Sequence, residues 1–188
     1  MFRCLKHILL VFILFLSFFE HLYCQEKPRV LIVYYSREGH TKLVALNLAK
    51  KFAADIEQII DKKKRTGLIG FSTAGRDAVA KNLTQIEPLK LNPNDYDIIL
   101  IGTPSWFGNV TPAVRTFATK YKLTGKKIGV FGTAHLTGVE NALKQLAELV
   151  AKEGADKVPA LPLRHRDLTE DILKAKIDDF YQKIIQKQ

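Results

Sequence analysis

Three stretches of this chain, "RVLIVYYS", "YDIILIGT" and "KKIGVFGT", are apolar without alternation and rich in β-branched residues. Runs of that kind are strands buried on both faces, because a half-exposed strand would alternate apolar and polar positions. Two weaker strand patterns join them. "DIEQIID" alternates over a short span, and "ADKVPALPL" carries prolines that confine it to a sheet edge. Helical patterns separate all five. Strands that alternate with helices pair in parallel, since each crossover needs a helix-sized connection, and the helices then cover both faces. The predicted architecture is therefore α/β, three-layered, on a five-stranded parallel sheet. A length of 188 residues suits one such domain with a proper core.

The helices carry their own punctuation. Residues 41–52 set Leu43, Leu46, Leu48 and Phe52 among charges, an amphipathic pattern. Pro112 opens "PAVRTFATKY", where a missing N–H costs nothing. "GVENALKQLAELVAKEG" runs toward Gly154, a C-cap glycine by position. Thr169 stands as N-cap of the last helix, with Glu170 and Asp171 in its first turn. Residues 62–91 are the least regular part, with one short helix expected in "GLIGFSTAGRDAVAKNL".

Residues 1–24 differ from the rest. Arg3 and Lys6 precede an apolar run, 8–19, broken only by Ser17. A basic start, a short apolar run and a polar boundary form a signal-peptide pattern. The run is shorter than the ~20 residues of a membrane span. Tyr23 is bulky where cleavage favours a small residue, and Cys24 raises a lipoprotein reading. The expectation is export or membrane attachment through residues 1–24, followed by one domain over 25–188. An uncleaved tail on a cytoplasmic protein is the other reading. Both cysteines, Cys4 and Cys24, lie in this leader. The domain thus has no disulfide, thiol nucleophile or Cys-based metal site, and no metal is expected.

The formal net charge is +10; without Arg3, Lys6 and Glu20 the remainder holds 27 basic against 18 acidic residues, or +9. Such an excess favours anionic or membrane-located partners. The densest cluster, "KKKR" at 62–65, reads as a solvated loop. No aromatic residues are interleaved and no helix-turn-helix signature is present, so nucleic acid is a weak fit.

In open parallel sheets, ligands bind beyond the carboxyl ends of the strands. Three loops follow strands here. In "SREGHT", Ser36 and Thr41 offer hydroxyls and Gly39 lets the backbone curl. The free N–H groups of the next helix point into that loop. This is a monophosphate cradle of neutral donors, bordered by Arg37, Glu38 and His40. It has no GK[ST] and no G-x-G-x-x-G, which excludes the triphosphate and dinucleotide loops. The second loop, "TPSWFGN", spans Thr103, Pro104, Ser105, Trp106, Phe107, Gly108 and Asn109. Its two adjacent rings favour a flat apolar ligand, and Gly108 permits close backbone approach. The third, "TAHLTG", sets Thr133, Ala134, His135 and Gly138 where a loop can lie along a ring edge. A monophosphate joined to a planar heterocycle describes flavin mononucleotide (FMN) better than a dinucleotide or a triphosphate.

With these three loops in this order, residues 29–187 resemble the flavodoxin family. Ser36, Gly39 and Thr41 match its phosphate-loop pattern [ST]-x-[ST]-G-x-[ST], while Glu38 replaces the middle hydroxyl. "YDIILIGTPSWFGNVTPAVRTF" resembles its second flavin loop and "GKKIGVFGTAHLTG" its third. The single strand before the last helix resembles the short-chain type. The resemblance implies strand order 2-1-3-4-5, FMN, and electron transfer through the flavin quinone, semiquinone and hydroquinone states. It implies stacking by Trp106 or Phe107, and a carbonyl near Gly108 that accepts a hydrogen bond from the ring. "YYSREGH" and "GTPSWFGN" are also similar to flavodoxin-like NAD(P)H:quinone oxidoreductases. That likeness implies NAD(P)H as donor, a quinone acceptor and a contact role for His135. A flavin-free binding module of the same fold is a third reading, and Glu38 beside the phosphate loop is its main argument. The partner is then a redox protein or a quinone.

Overall fold

The computed structural model describes residues 27–65, 67–151 and 157–186. Residues 1–24, on which the leader expectation falls, and Gly154 lie outside the described residues. The elements are β1 (Val30–Tyr34), α1 (His40–Phe52), β2 (Asp55–Gln58), α2 (Gly67–Val79), β3 (Ile98–Trp106), β4 (Asn109–Val110), α3 (Pro112–Lys120), β5 (Lys127–Ala134), α4 (Val139–Val150), β6 (Ala160–Arg164) and α5 (Glu170–Ile185).

The sheet runs β2-β1-β3-β5-β6, all parallel, with β4 paired antiparallel to the end of β3. Counting only the parallel strands, this is the expected order 2-1-3-4-5. The three unbroken apolar runs form the three central strands. The alternating strand β2 and the proline-bearing strand β6 sit at the two edges.

Period-two alternation divides the core into two layers. Val30, Ile32 and Tyr34 of β1 meet Val44, Ala45, Leu48, Phe52, Leu173, Ile177 and Phe180, so α1 and α5 cover that face. Leu31, Val33 and Tyr35 meet Ala74, Ala78, Val114, Phe117, Leu143 and Leu146, so α2, α3 and α4 cover the other. Gly102 of β3 pairs with Phe131 of β5, and a side chain there would collide with the Phe131 ring.

Two helix expectations need correction. The buried stripe of α1 is Thr41, Val44, Ala45, Leu48 and Phe52, spaced at helical intervals. Leu43 and Leu46 fall off that stripe and are exposed. The fourth helix ends at Val150, with Ala151 extended after it. Pro112 and Thr169 do stand at the expected helix starts, although Thr169 makes no side-chain cap.

The irregular segment after β2 carries the least expected feature. The Arg65 side chain, 2% exposed, pairs with Asp61 at 3.0 Å and with Asp77 of α2 at 2.6 Å. Lys63 adds a third pairing, to Asp77 at 2.7 Å. So "KKKR" is not simply a solvated loop: Lys62 and Lys64 are exposed, but Arg65 is an internal pillar. Thr84 Oγ1 donates to Asp61, and Asn82 Nδ2 donates to Asp77. These bonds tie α2 to the segment that follows β2.

Candidate functional site

The β1–α1, β3–β4 and β5–α4 loops meet at the carboxyl ends of the strands and enclose a cavity of about 310 Å³. That is the lower end of the ~300–1,000 Å³ range for small-ligand sites. One end is polar. Gly39, at φ 94, is the N-cap of α1, and its carbonyl accepts from Leu43 N–H at 2.8 Å. The N–H groups of the first turn of α1 have no intrahelical acceptor and carry the positive end of the helix dipole. Nothing lies within 4 Å of the side Gly39 would fill with a Cβ, so the cradle is open. Ser36 Oγ accepts from Gly39 N–H at 3.1 Å and closes the loop on itself.

Thr41 sits deeper. Its Oγ1 lies 2.8 Å from Oγ1 of Thr133, a fully buried link between α1 and β5. Two hydroxyls that share one hydrogen bond retain one O–H to donate elsewhere. The pair thus serves both the fold and a ligand at the cradle.

The other end is aromatic. Trp106 is 8% exposed, with Tyr35 edge-on at 5.7 Å between centroids. Phe107 differs: it is 69% exposed, so only one of the two adjacent rings is buried. The cause is the turn. Phe107 (φ 51) and Gly108 (φ 74) form the two-residue link between β3 and β4, with Trp106 paired to Asn109. Such a hairpin demands positive φ at both link positions. Glycine adopts that readily; a bulky side chain is strained there. Phe107 lies over α2, with its ring on the bare Cα of Gly75.

The cavity wall takes in Ser36, Arg37, Glu38, His40 and Thr41 from the first loop and Pro104, Ser105, Trp106 and Phe107 from the second. The third contributes Thr133, Ala134 and His135. Gly39, Thr103, Gly108, Asn109 and Gly138 belong to the same loops but are not among the residues that line the cavity. Thr103 is buried, with Oγ1 3.2 Å from Thr111 Oγ1. The Gly108 carbonyl accepts from Asn141 Nδ2 of α4 at 2.8 Å. Gln145 Nε2 donates to Asn109 Oδ1 at 3.0 Å, and Arg115 donates to Gln145 at 3.1 Å. Asn109 Nδ2 in turn holds the Phe107 carbonyl at 2.7 Å. The hairpin tip is bolted to α4 by side-chain amides.

Glu38, the departure from the phosphate-loop pattern, points largely outward. Its side chain is 61% exposed and pairs with Arg37 Nη2 at 2.6 Å. Arg37 is 18% exposed and lies with its guanidinium carbon 5.2 Å from the Trp106 ring centroid. Burial raises the Tyr35 hydroxyl above its ordinary pKa, with nearby Asp61 adding to the effect. Tyr35 therefore stays neutral.

Sequence reasoning missed three contributors. Ala74 and Gly75 of α2 line the cavity; their small side chains in an irregular stretch were the one available signal. His165, in the short 3-10 turn after β6, stands beside both His40 and His135, at 5.1 and 5.4 Å between ring centroids. Nothing local in the sequence ties that residue to the other two. Among the described residues, no group of three or more His, Cys, Asp or Glu is placed to hold a metal ion. Among the same residues, no helix is long and apolar enough to cross a membrane.

A parallel sheet in this order, with its cavity beyond the strand ends, defines a flavodoxin-like doubly wound fold. The chain belongs to the flavodoxin family: a family model described as flavodoxin matches residues 29–179. Among solved structures it is similar to a flavoprotein from Lactobacillus acidophilus in complex with FMN. That match has 20% identity and a TM-score of 0.62, and covers 82% of this chain and 99% of that one. It is also similar to a Fusobacterium nucleatum flavodoxin bound to flavin mononucleotide, at 12% identity and TM-score 0.55, covering 85% and 98%. Among curated proteins, an NAD(P)H dehydrogenase (quinone) from Chromohalobacter salexigens is 30% identical over 112 residues. That alignment covers 56% of this chain and 55% of the relative, so the chain spans about half the length of the curated relative it matches.

Proposed function

We propose that the chain binds FMN in this cavity and carries electrons on it. The observation that carries this reading is the convergence of three strand-end loops on one cavity, with the start of α1 at one end and the buried Trp106 at the other. The donor set fits the group. Backbone N–H groups at 40–42 and the Thr41–Thr133 hydroxyl pair would hold the phosphate. Trp106 would stack on the ring, and Ala134 and His135 would border its edge. Bound FMN supplies one- or two-electron transfer at its ring.

The protein's own contribution is binding and environment. Trp106, Phe107, Ala74 and Pro104 exclude water from the ring end, and an apolar surround disfavours extra negative charge there. The amide bolts from Asn141 and Gln145 hold the hairpin so that the Trp106 wall is formed before a ligand arrives. Glu38 is compatible with a phosphate, because its carboxylate is exposed to solvent and paired with Arg37.

The test is direct titration. The purified protein, stripped of any bound flavin, should quench FMN fluorescence stoichiometrically and hold riboflavin more weakly. A protein that takes up neither flavin is the flavin-free module instead.

A second reading, NAD(P)H-dependent reduction of a quinone, is favoured by the quinone-dependent relative and by an apolar cavity mouth. Phe107, which lines the cavity, is strongly exposed. NAD(P)H oxidation that requires added benzoquinone as well as FMN would establish this activity; its absence in a flavin-loaded protein would leave the carrier. Under either reading the net charge of +10 supports an anionic or membrane-located redox partner.

A further inference from the structure

Among the described residues, Arg37 is the one lysine or arginine that lines the cavity, and the phosphate loop itself delivers it. Ser36 Oγ turns back to Gly39 N–H and Glu38 points outward, but the Arg37 side chain folds toward Trp106. It is mostly buried there, with the guanidinium 5.2 Å from the indole centroid. Glu38 holds it in that pose through one oxygen, Oε1, at 2.6 Å from Nη2 and 3.2 Å from Nε. Arginine stacks on aromatic faces and stays charged at any working pH. The loop therefore fixes a permanent positive charge at the ring end, and an exposed carboxylate partly offsets it.

That placement has a redox consequence. Oxidised FMN has a neutral ring. Uptake of two electrons and one proton leaves the ring a monoanion. A fixed cation beside the ring stabilises the anion and leaves the neutral form nearly untouched. The apolar surround from Trp106, Phe107 and Ala74 works in the opposite sense. We infer that Arg37 sets the reduction potential of the bound flavin, raising it against that apolar surround, and that Glu38 moderates the charge Arg37 presents. This rests on the FMN reading above and extends it: the segment that grips the phosphate also tunes the ring.

The residue is a positioning and tuning group, so the readout is a potential rather than a turnover. FMN-loaded wild type, Arg37→Gln, Arg37→Lys and Glu38→Gln are each reduced stepwise by dithionite against a dye of known potential, at low and high salt. FMN dissociation constants of the oxidised forms are measured in parallel. Arg37→Gln should lose about tenfold of its preference for reduced over oxidised FMN, a fall of ~30 mV for a two-electron couple. Arg37→Lys should restore most of it, and Glu38→Gln should shift the potential upward. Added salt should shrink each difference.

A potential identical in wild type and Arg37→Gln, with FMN bound in both, overturns the inference and leaves FMN binding intact. Equal losses of affinity for both redox forms in Arg37→Gln and Arg37→Lys also overturn it, since they mark a packing role on Trp106. Failure of the wild type itself to take up FMN refutes the functional reading instead.

Discussion

Asp77→Asn tests how the wall of the cavity is held. Asp77 lies on α2 one turn beyond Ala74 and Gly75, which line the site. Its carboxyl is held at about 2, against an ordinary 3.8. The Lys63 ammonium is the largest cause; burial opposes it, and Arg65 and Asn82 reinforce it. A depressed folded-state pKa stabilises the fold above the unfolded value, and that stability disappears as the pH falls through the folded value. A shift of nearly two units corresponds to roughly 2.5 kcal/mol at neutral pH, lost between about pH 4 and pH 2. The Lys63 share is screened, because that side chain is half exposed; the Arg65 share is not. The asparagine variant also leaves the buried Arg65 with Asp61 as its one carboxylate partner among the described residues. Removing one partner of a buried pair costs ~3–5 kcal/mol, and the remaining Asp61 puts the expected loss near the lower figure. Urea unfolding followed by circular dichroism at pH 7 and pH 3 measures it. The wild type should be more stable by about 3 kcal/mol at pH 7, with the gap narrowing at pH 3 because Asp77 of the unfolded chain is by then largely protonated. A gap below ~1 kcal/mol, or one that ignores pH, would show that α2 does not depend on this network.

Three further outcomes follow from the geometry. Trp106→Ala should weaken FMN binding by about 2–3 kcal/mol, from the aromatic area lost, and unchanged affinity in a fluorescence titration would remove its stacking role. Thr41→Ala should weaken FMN more than riboflavin, since its hydroxyl sits at the phosphate end; equal losses would confine Thr41 to its bond with Thr133. Gly102→Ala should destabilise the fold by roughly 1–3 kcal/mol through collision with Phe131, without altering the ratio of FMN to riboflavin affinity, both read from thermal melts with and without ligand.

The fold was legible because its strongest signals are local. Unbroken runs such as "VLIVY" and "IILIG" state burial on both faces, and Pro162 states an edge, whatever the rest of the chain does. Helix faces were read less well. Leu43 and Leu46 attract attention as apolar residues, yet the stripe that packs is decided by Val44, Ala45 and Leu48. The site followed the same division. Loops that directly follow buried strands could be found by position. Residues recruited through tertiary contact could not: Gly75 matters because Phe107 rests on it, and His165 because β6 ends beside β5. Arg65 is the sharpest case. A run of four basic residues reads as solvated until Asp61 and Asp77, 4 and 12 residues away, close on one of them.

The two sheet edges bear on how the molecule behaves at high concentration. An open edge strand offers its backbone to any other extended chain, which is how soluble domains begin to form fibres. On β6 the offer is interrupted: Pro162 sits mid-strand, opposite Gly132, and has no N–H to give an incoming strand. On β2 the strand is only four residues long and carries Asp55 and Glu57. The Glu57 carboxylate is engaged by the backbone N–H groups of Lys90 and Leu91, which draws a loop alongside that edge. A sheet closed at both margins can keep three strongly apolar central strands without their becoming a template for aggregation.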